Sequence, residues 1–194
     1  MYRCLPSVLS AAVALSAGLL MGLSGCGSVP TTSEGMEAKR AEVVPVARQT
    51  LETMKGQDPS IADAMEGAYG FVVFPTVASG ALILGGEGGD GVVFEGQDPW
   101  GLAKVAKGSI GAQIGGEAYS ELVILKTEAA FKKFTNGTFG FSAEVTATAV
   151  KAGAAKAAPV ANGMIVLVAT KGGLMASAAV GGQNFTCYPF DLAP

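Results

Sequence analysis

From Tyr69 onward the hydrophobic residues come in short runs separated by glycines: GFVVF, GALILGG, GVVFE, KGSIGAQIGG, YSELVILK, FSAEVTATAV, MIVLVAT, GGLMASAAVGG and NFTCYPF. Runs of this length, rich in Val, Ile and Phe and bounded by turn residues, predict a meander-like antiparallel sheet. The alternation is cleanest where Phe141, Ala143, Val145, Ala147 and Ala149 interleave with Ser142, Glu144, Thr146 and Thr148. That period of two would be wasted on a helix.

Three stretches carry the helical period instead. Order is expected from about Val44, where Ala47, Leu51 and Met54 fall at i, i+4 and i+7; Pro45 suits a first turn, and Arg48 and Glu52 form an i, i+4 pair. Asp58 is a good N-cap before Pro59, and Ile61, Ala64, Met65 and Ala68 repeat on one face until Gly67 and Gly70 close the helix. Thr127 caps a third helix in which Ala130, Phe131 and Phe134 face inward and Lys132 and Lys133 face water, with Asn136-Gly137 as a left-handed stop. The segment from Ala152 to Gly163 is a low-complexity connection.

The N-terminus reads differently. Arg3 precedes an apolar run, Ser7 to Leu23, too short and too rich in small residues for a comfortable membrane span. It ends in Leu23-Ser24-Gly25-Cys26, which resembles the bacterial lipobox, where cleavage precedes a lipid-modified cysteine. Residues 1–25 are therefore expected to be a lipoprotein signal peptide, with Cys26 the lipid attachment point. Gly27 rather than Asp follows the cysteine, which by resemblance to enterobacterial sorting favours the outer membrane of the cell envelope. Residues 26–43, polar and without periodicity, predict a flexible tether, and residues 44–194 the folded domain.

Composition then removes chemistries. There is no His in the 194 residues, which excludes Ser-His-Asp and Cys-His catalysis and His-containing zinc sites. With Cys4 lost and Cys26 lipidated, Cys187 has no disulfide partner and reads as a half-buried strand residue. The chain holds 13 basic against 16 acidic residues, which argues against nucleic-acid binding. Gly86, Gly88 and Gly91 match G-x-G-x-x-G, but a dinucleotide site needs a helix after the turn, and Val92-Val93-Phe94 predicts a strand. The loop is expected to be a hairpin turn, with Glu87 and Asp90 solvated in it. No cofactor, metal site or enzymatic activity is expected. Lys104, Lys107, Lys132, Lys133, Lys151, Lys156 and Lys171 are the basic groups that could gather into an anionic-membrane face.

The run from Tyr69 through Phe190 resembles the SYLF family of lipid-binding domains. The matching pieces are AYGFVVFPTVASGALILGG, AKGSIGAQIGGEAYSELVILKTEAAFKKF and TKGGLMASAAVGG, with Phe74-Pro75 before a glycine-rich strand, Gly108-Ser109-x-Gly111 before Gly115-Gly116, and Lys171-Gly172-Gly173-Leu174. The resemblance implies an α+β fold: a curved, mostly antiparallel sheet approaching a barrel, with a few short packed helices. It also implies a non-enzymatic domain whose partners are membrane phospholipids, met through the lysine-bearing face or an apolar cleft. In some eukaryotic members an amphipathic helix ahead of the domain helps membrane binding; here the matching region is the polar tether. The rival reading is a structural envelope protein that binds a protein partner or peptidoglycan.

Overall fold

The β-branched and aromatic runs pair into one antiparallel sheet with helices on both faces. The computed structural model describes residues 29–80, 86–108, 118–136, 140–141, 148–149, 155, 158, 160, 162–170, 173–176 and 183–191. The elements are α1 (Ser33–Gln57), α2 (Ser60–Met65), β1 (Gly70–Gly80), β2 (Gly86–Glu95), β3 (Asp98–Gly108), β4 (Tyr119–Leu125), α3 (Glu128–Thr135), β5 (Gly140–Phe141), β6 (Thr148–Ala149), β7 (Met164–Thr170), β8 (Gly173–Ala176) and β9 (Gln183–Pro189). The sheet order is β5-β9-β3-β2-β1-β4-β7-β8-β6, and six of these strands are long. The α+β class expected from the sequence is the one found.

Covalent geometry makes the sheet curve. β5 pairs with β9 at one edge and β6 with β8 at the other. Eight strand spacings in a flat sheet would separate those edges by about 38 Å. Yet Phe141 and Thr148 are seven residues apart, which allows at most about 25 Å. The sheet therefore bends towards a barrel, and it stays open: among the described residues β5 and β6 do not pair with each other.

Strand alternation divides the core into two layers. On one face Phe71, Val73, Phe94, Leu102, Leu122 and Ile124 pack against Met36, Leu51 and Met54 of α1 and Ile61 of α2. On the other, Val72, Phe74, Val93, Val105 and Val123 pack against Ala130, Phe131 and Phe134 of α3. β1 is a central strand, and it carries Pro75 at a bulge where its register with both neighbours shifts. A proline that cannot donate to the ladder is tolerated there for that reason. Phe74 and Val77, on either side of the bulge, consequently face the same layer.

Several expectations are corrected. Residues 33–43 are not a tether but the first turns of α1: the Thr32 side chain accepts a hydrogen bond from the Gly35 amide (3.2 Å), and Met36 is fully buried. Pro45 thus lies inside a 25-residue helix, not in its first turn. Arg48 does not pair with Glu52. Its guanidinium donates to the Gln97 carbonyl (2.9 Å) and lies over the Phe94 ring, while Glu52 pairs with Lys55. α2 is shorter than the predicted stripe and ends at Met65, with Gly67 at φ +66° beyond it. Its last carbonyls, of Ala64 and Glu66, accept from the Lys126 ammonium (2.9 and 2.7 Å), which complements the negative helix end. Asn136 is not left-handed (φ −71°), and Gly137 is outside the described residues.

Two sheet features were also misplaced. Gly86, Gly88 and Gly91 lie within β2 rather than in a turn. A Cβ at Gly91 would come 2.5 Å from the Phe74 ring and 2.6 Å from the Val73 carbonyl oxygen, so this glycine is needed for close approach of β1. β3 was absent from the predicted strands because Gly101, Ala103, Lys104, Ala106 and Lys107 are weak strand formers. The clue to it was Gly96, at φ +58° in the short turn between Glu95 and Asp98.

Candidate functional site

Gly80, Gly86, Gly108, Tyr119, Thr170 and Gly173 all lie at one end of the sheet, by the register of their strands. Next to this end, on the α1 face, is a cleft of about 270 Å³. Its α1 wall is Thr50, Thr53, Met54 and Gln57. Its floor is the β1 bulge at Pro75 and Thr76, the start of β4 at Ala118, Tyr119 and Ser120, and Ala169 of β7. The rest of this face is filled by Met, Leu and Phe side chains, whereas alanines and threonines here leave room.

None of the described residues lining the cleft is charged. The Thr50 and Thr53 hydroxyls donate to the carbonyls of Val46 and Gln49 in their own helix (both 2.9 Å), leaving acceptor lone pairs and methyl groups. The Ser120 hydroxyl donates to the Pro75 carbonyl (2.7 Å), satisfying an acceptor that the bulge takes out of the ladder. The arrangement offers neutral polar atoms beside the Met54 thioether and the Tyr119 ring. It suits an uncharged ligand portion with both polar and apolar atoms.

The candidate lysines whose side chains are described are dispersed rather than gathered. Lys104 faces α1, beside Lys39, and bonds Asp90 across the β2–β3 ladder (2.9 Å). Asp90 is thus a ladder partner rather than a solvated turn residue. Lys132 and Lys133 are exposed on α3, which covers the opposite face of the sheet. Lys132 pairs with Glu128 (2.6 Å), and that bond raises its pKa by favouring the ammonium form. Lys107 holds a β3 position opposite Glu87 and Gln183 in register. Cys26, Lys151, Lys156 and Lys171 lie outside the described residues. The three candidate lysines whose side chains are described, Lys104, Lys132 and Lys133, therefore do not all share a face.

Cys187 is half-buried on β9 as expected, with its sulfur 3.6 Å from the Phe134 carbonyl oxygen. Burial pushes its thiol up to about 12, so at neutral pH it is not a nucleophile. At the other end of the sheet Tyr69 donates to Glu95 (2.6 Å) and its ring meets Phe131, which also meets the edge of Trp100. The hydrogen bond to the Glu95 carboxylate, first, and then desolvation raise the Tyr69 phenol to about 12.

Residues 106–187 match the family model described as Ysc84: Las17-binding protein actin regulator. That segment is a SYLF-family domain. The family is one of lipid-binding or actin-related domains. No curated protein matches the chain. The SYLF match runs from the end of β3 to β9 and so supplies the β4 and β7 walls of the cleft, but β1 and β2, at the centre of the sheet, precede it. The structural unit is therefore larger than the matched segment.

Proposed function

We propose that this chain is a bacterial outer-membrane lipoprotein, anchored through Cys26, whose SYLF domain makes a second, non-enzymatic contact with phospholipid. The observation that carries the lipid-binding part is the SYLF match over residues 106–187. The anchoring part rests on Leu23-Ser24-Gly25-Cys26 after a short apolar run. The dispersal of the described lysines over two faces favours a contact that does not depend on one basic surface. The cleft between α1 and the β1 bulge, whose described lining is uncharged, is the candidate place for it, receiving the glycerol-ester portion of a lipid rather than its phosphate. At about 270 Å³ it has room for part of a phospholipid only.

The test uses residues 27–194, which carry neither the lipid nor the apolar run before it, sedimented with zwitterionic and with anionic vesicles at low and high salt. Salt-insensitive binding to both, lost on filling the cleft with Ala169→Phe, is the expected result. Salt-sensitive binding to anionic vesicles alone, abolished by Lys132→Glu with Lys133→Glu, would move the contact to α3. No binding to either would end the lipid-binding reading and direct attention to a protein or peptidoglycan partner.

A further inference from the structure

Val29 and Pro30 are already fixed on the domain. Val29 packs against the core layer beneath α1, and both residues line a recess with Lys39 of α1 and Leu102 and Lys104 of β3. Three residues further on, the Thr32 side chain caps α1 at Ser33. Cys26 is only three residues before Val29, and three residues of fully extended chain span at most about 11 Å. The flexible leash expected over residues 26–43 would have allowed several times that reach. The helix has consumed it.

From this we infer that the lipidated protein is held directly against the bilayer by the surface around Val29, Pro30, Lys39 and Lys104, with the N-terminal end of α1 at the headgroups. The inference rests on the lipoprotein reading of Cys26. Its occupant is the membrane that carries the anchor, because the length of chain between anchor and domain permits no other surface to come between them. α1 rises about 30 Å from Ser33 to Thr53, so an α1 that stands on its N-terminal end at the headgroups carries Thr53 and the cleft beside it away from that membrane. A lipid in the cleft then reaches the domain from the aqueous side or from a facing membrane.

The experiment uses full-length lipidated protein in vesicles doped with a headgroup spin label. Cys187→Ser removes the free thiol, and a fluorophore is placed at Glu34→Cys or at Thr53→Cys, both exposed helix positions. Quenching several-fold stronger at position 34 than at 53 is expected. Equal quenching, or stronger quenching at 53, would overturn the orientation while leaving lipidation intact. Mass spectrometry of the N-terminal peptide separates the two failures: an unmodified Cys26, with protein that leaves the vesicles, would overturn both the lipoprotein reading and the orientation built on it.

Discussion

Tyr69 and Gly91 show how single residues answer to their neighbours. The bond from Tyr69 to Glu95 holds the phenol up at about 12 instead of 10.0, so the neutral form is favoured in the fold. The stability this contributes is present below pH 10 and is lost as pH rises through about 12. An ultraviolet titration should show one tyrosine ionising late, and Glu95→Gln should return it towards 10. At Gly91 the Phe74 ring occupies the space of a side chain, and Gly91→Ala should cost roughly 1–3 kcal/mol, read as a lower urea midpoint. Gly56 in α1 is the contrast: nothing lies within 4 Å of a Cβ there, and Gly56→Ala should stabilise by up to about 1 kcal/mol. Neither outcome is readable from the letter G. The difference is set by what the opposing strand places over it.

Among the elements, α1 departs most from its sequence pattern. Its helical stripe was legible only from Ala47 to Met54, because charged residues and Pro45 interrupt it before that. Met36 is nevertheless buried against the sheet, and Glu37–Arg40 and Lys39–Glu42 pairs flank it with their carboxylates exposed. Tertiary contact thus carries the helix past a proline that leaves the Ala41 carbonyl without its intrahelical donor. Pro45→Ala should restore that bond and raise the unfolding free energy by about 1–3 kcal/mol, measured by urea denaturation; no gain would mean that the helix is relieved at this point some other way. The apolar face of α1 is already spent on the sheet. Among the described residues, membrane insertion by a free amphipathic helix, as implied by the family's eukaryotic members, has no counterpart. The α3 helix, by contrast, is readable from its cap through its buried face: Thr127 accepts from the Ala130 amide (3.1 Å), and Phe131 and Phe134 are buried as their spacing requires.

At the scale of the whole molecule, sheet curvature and the two-sided helix packing decide which charges meet. Lys104 and Lys132 are separated by the full thickness of the sheet and its helix layers, so they cannot present one face to a membrane. Charge reversal at Lys104 and at Lys132 should therefore act independently on vesicle binding, each change small and the double variant near their sum. A double variant losing far more than that sum would show that the two sites act together. The chain's lone Trp100, against Phe131 at the end of the sheet opposite the cleft, should report unfolding without reporting ligand entry.

The sequence by itself determined what depends on local pattern: the antiparallel strands from short apolar runs between glycines, α3 from its cap and apolar spacing, the inert Cys187 from the lack of a partner, and the rejection of a nucleotide loop from the strand after Gly91; of the alternating stretch from Phe141 to Ala149, residues 142–147 lie outside the described residues. The tertiary structure alone decided where α1 begins, that β3 exists, that glycines in β2 make room for β1, and that Lys104 falls on one face with Lys132 and Lys133 on the other. Those outcomes depend on contacts between residues tens of positions apart, such as Met36 against the sheet and Phe74 over Gly91, and no local period encodes them.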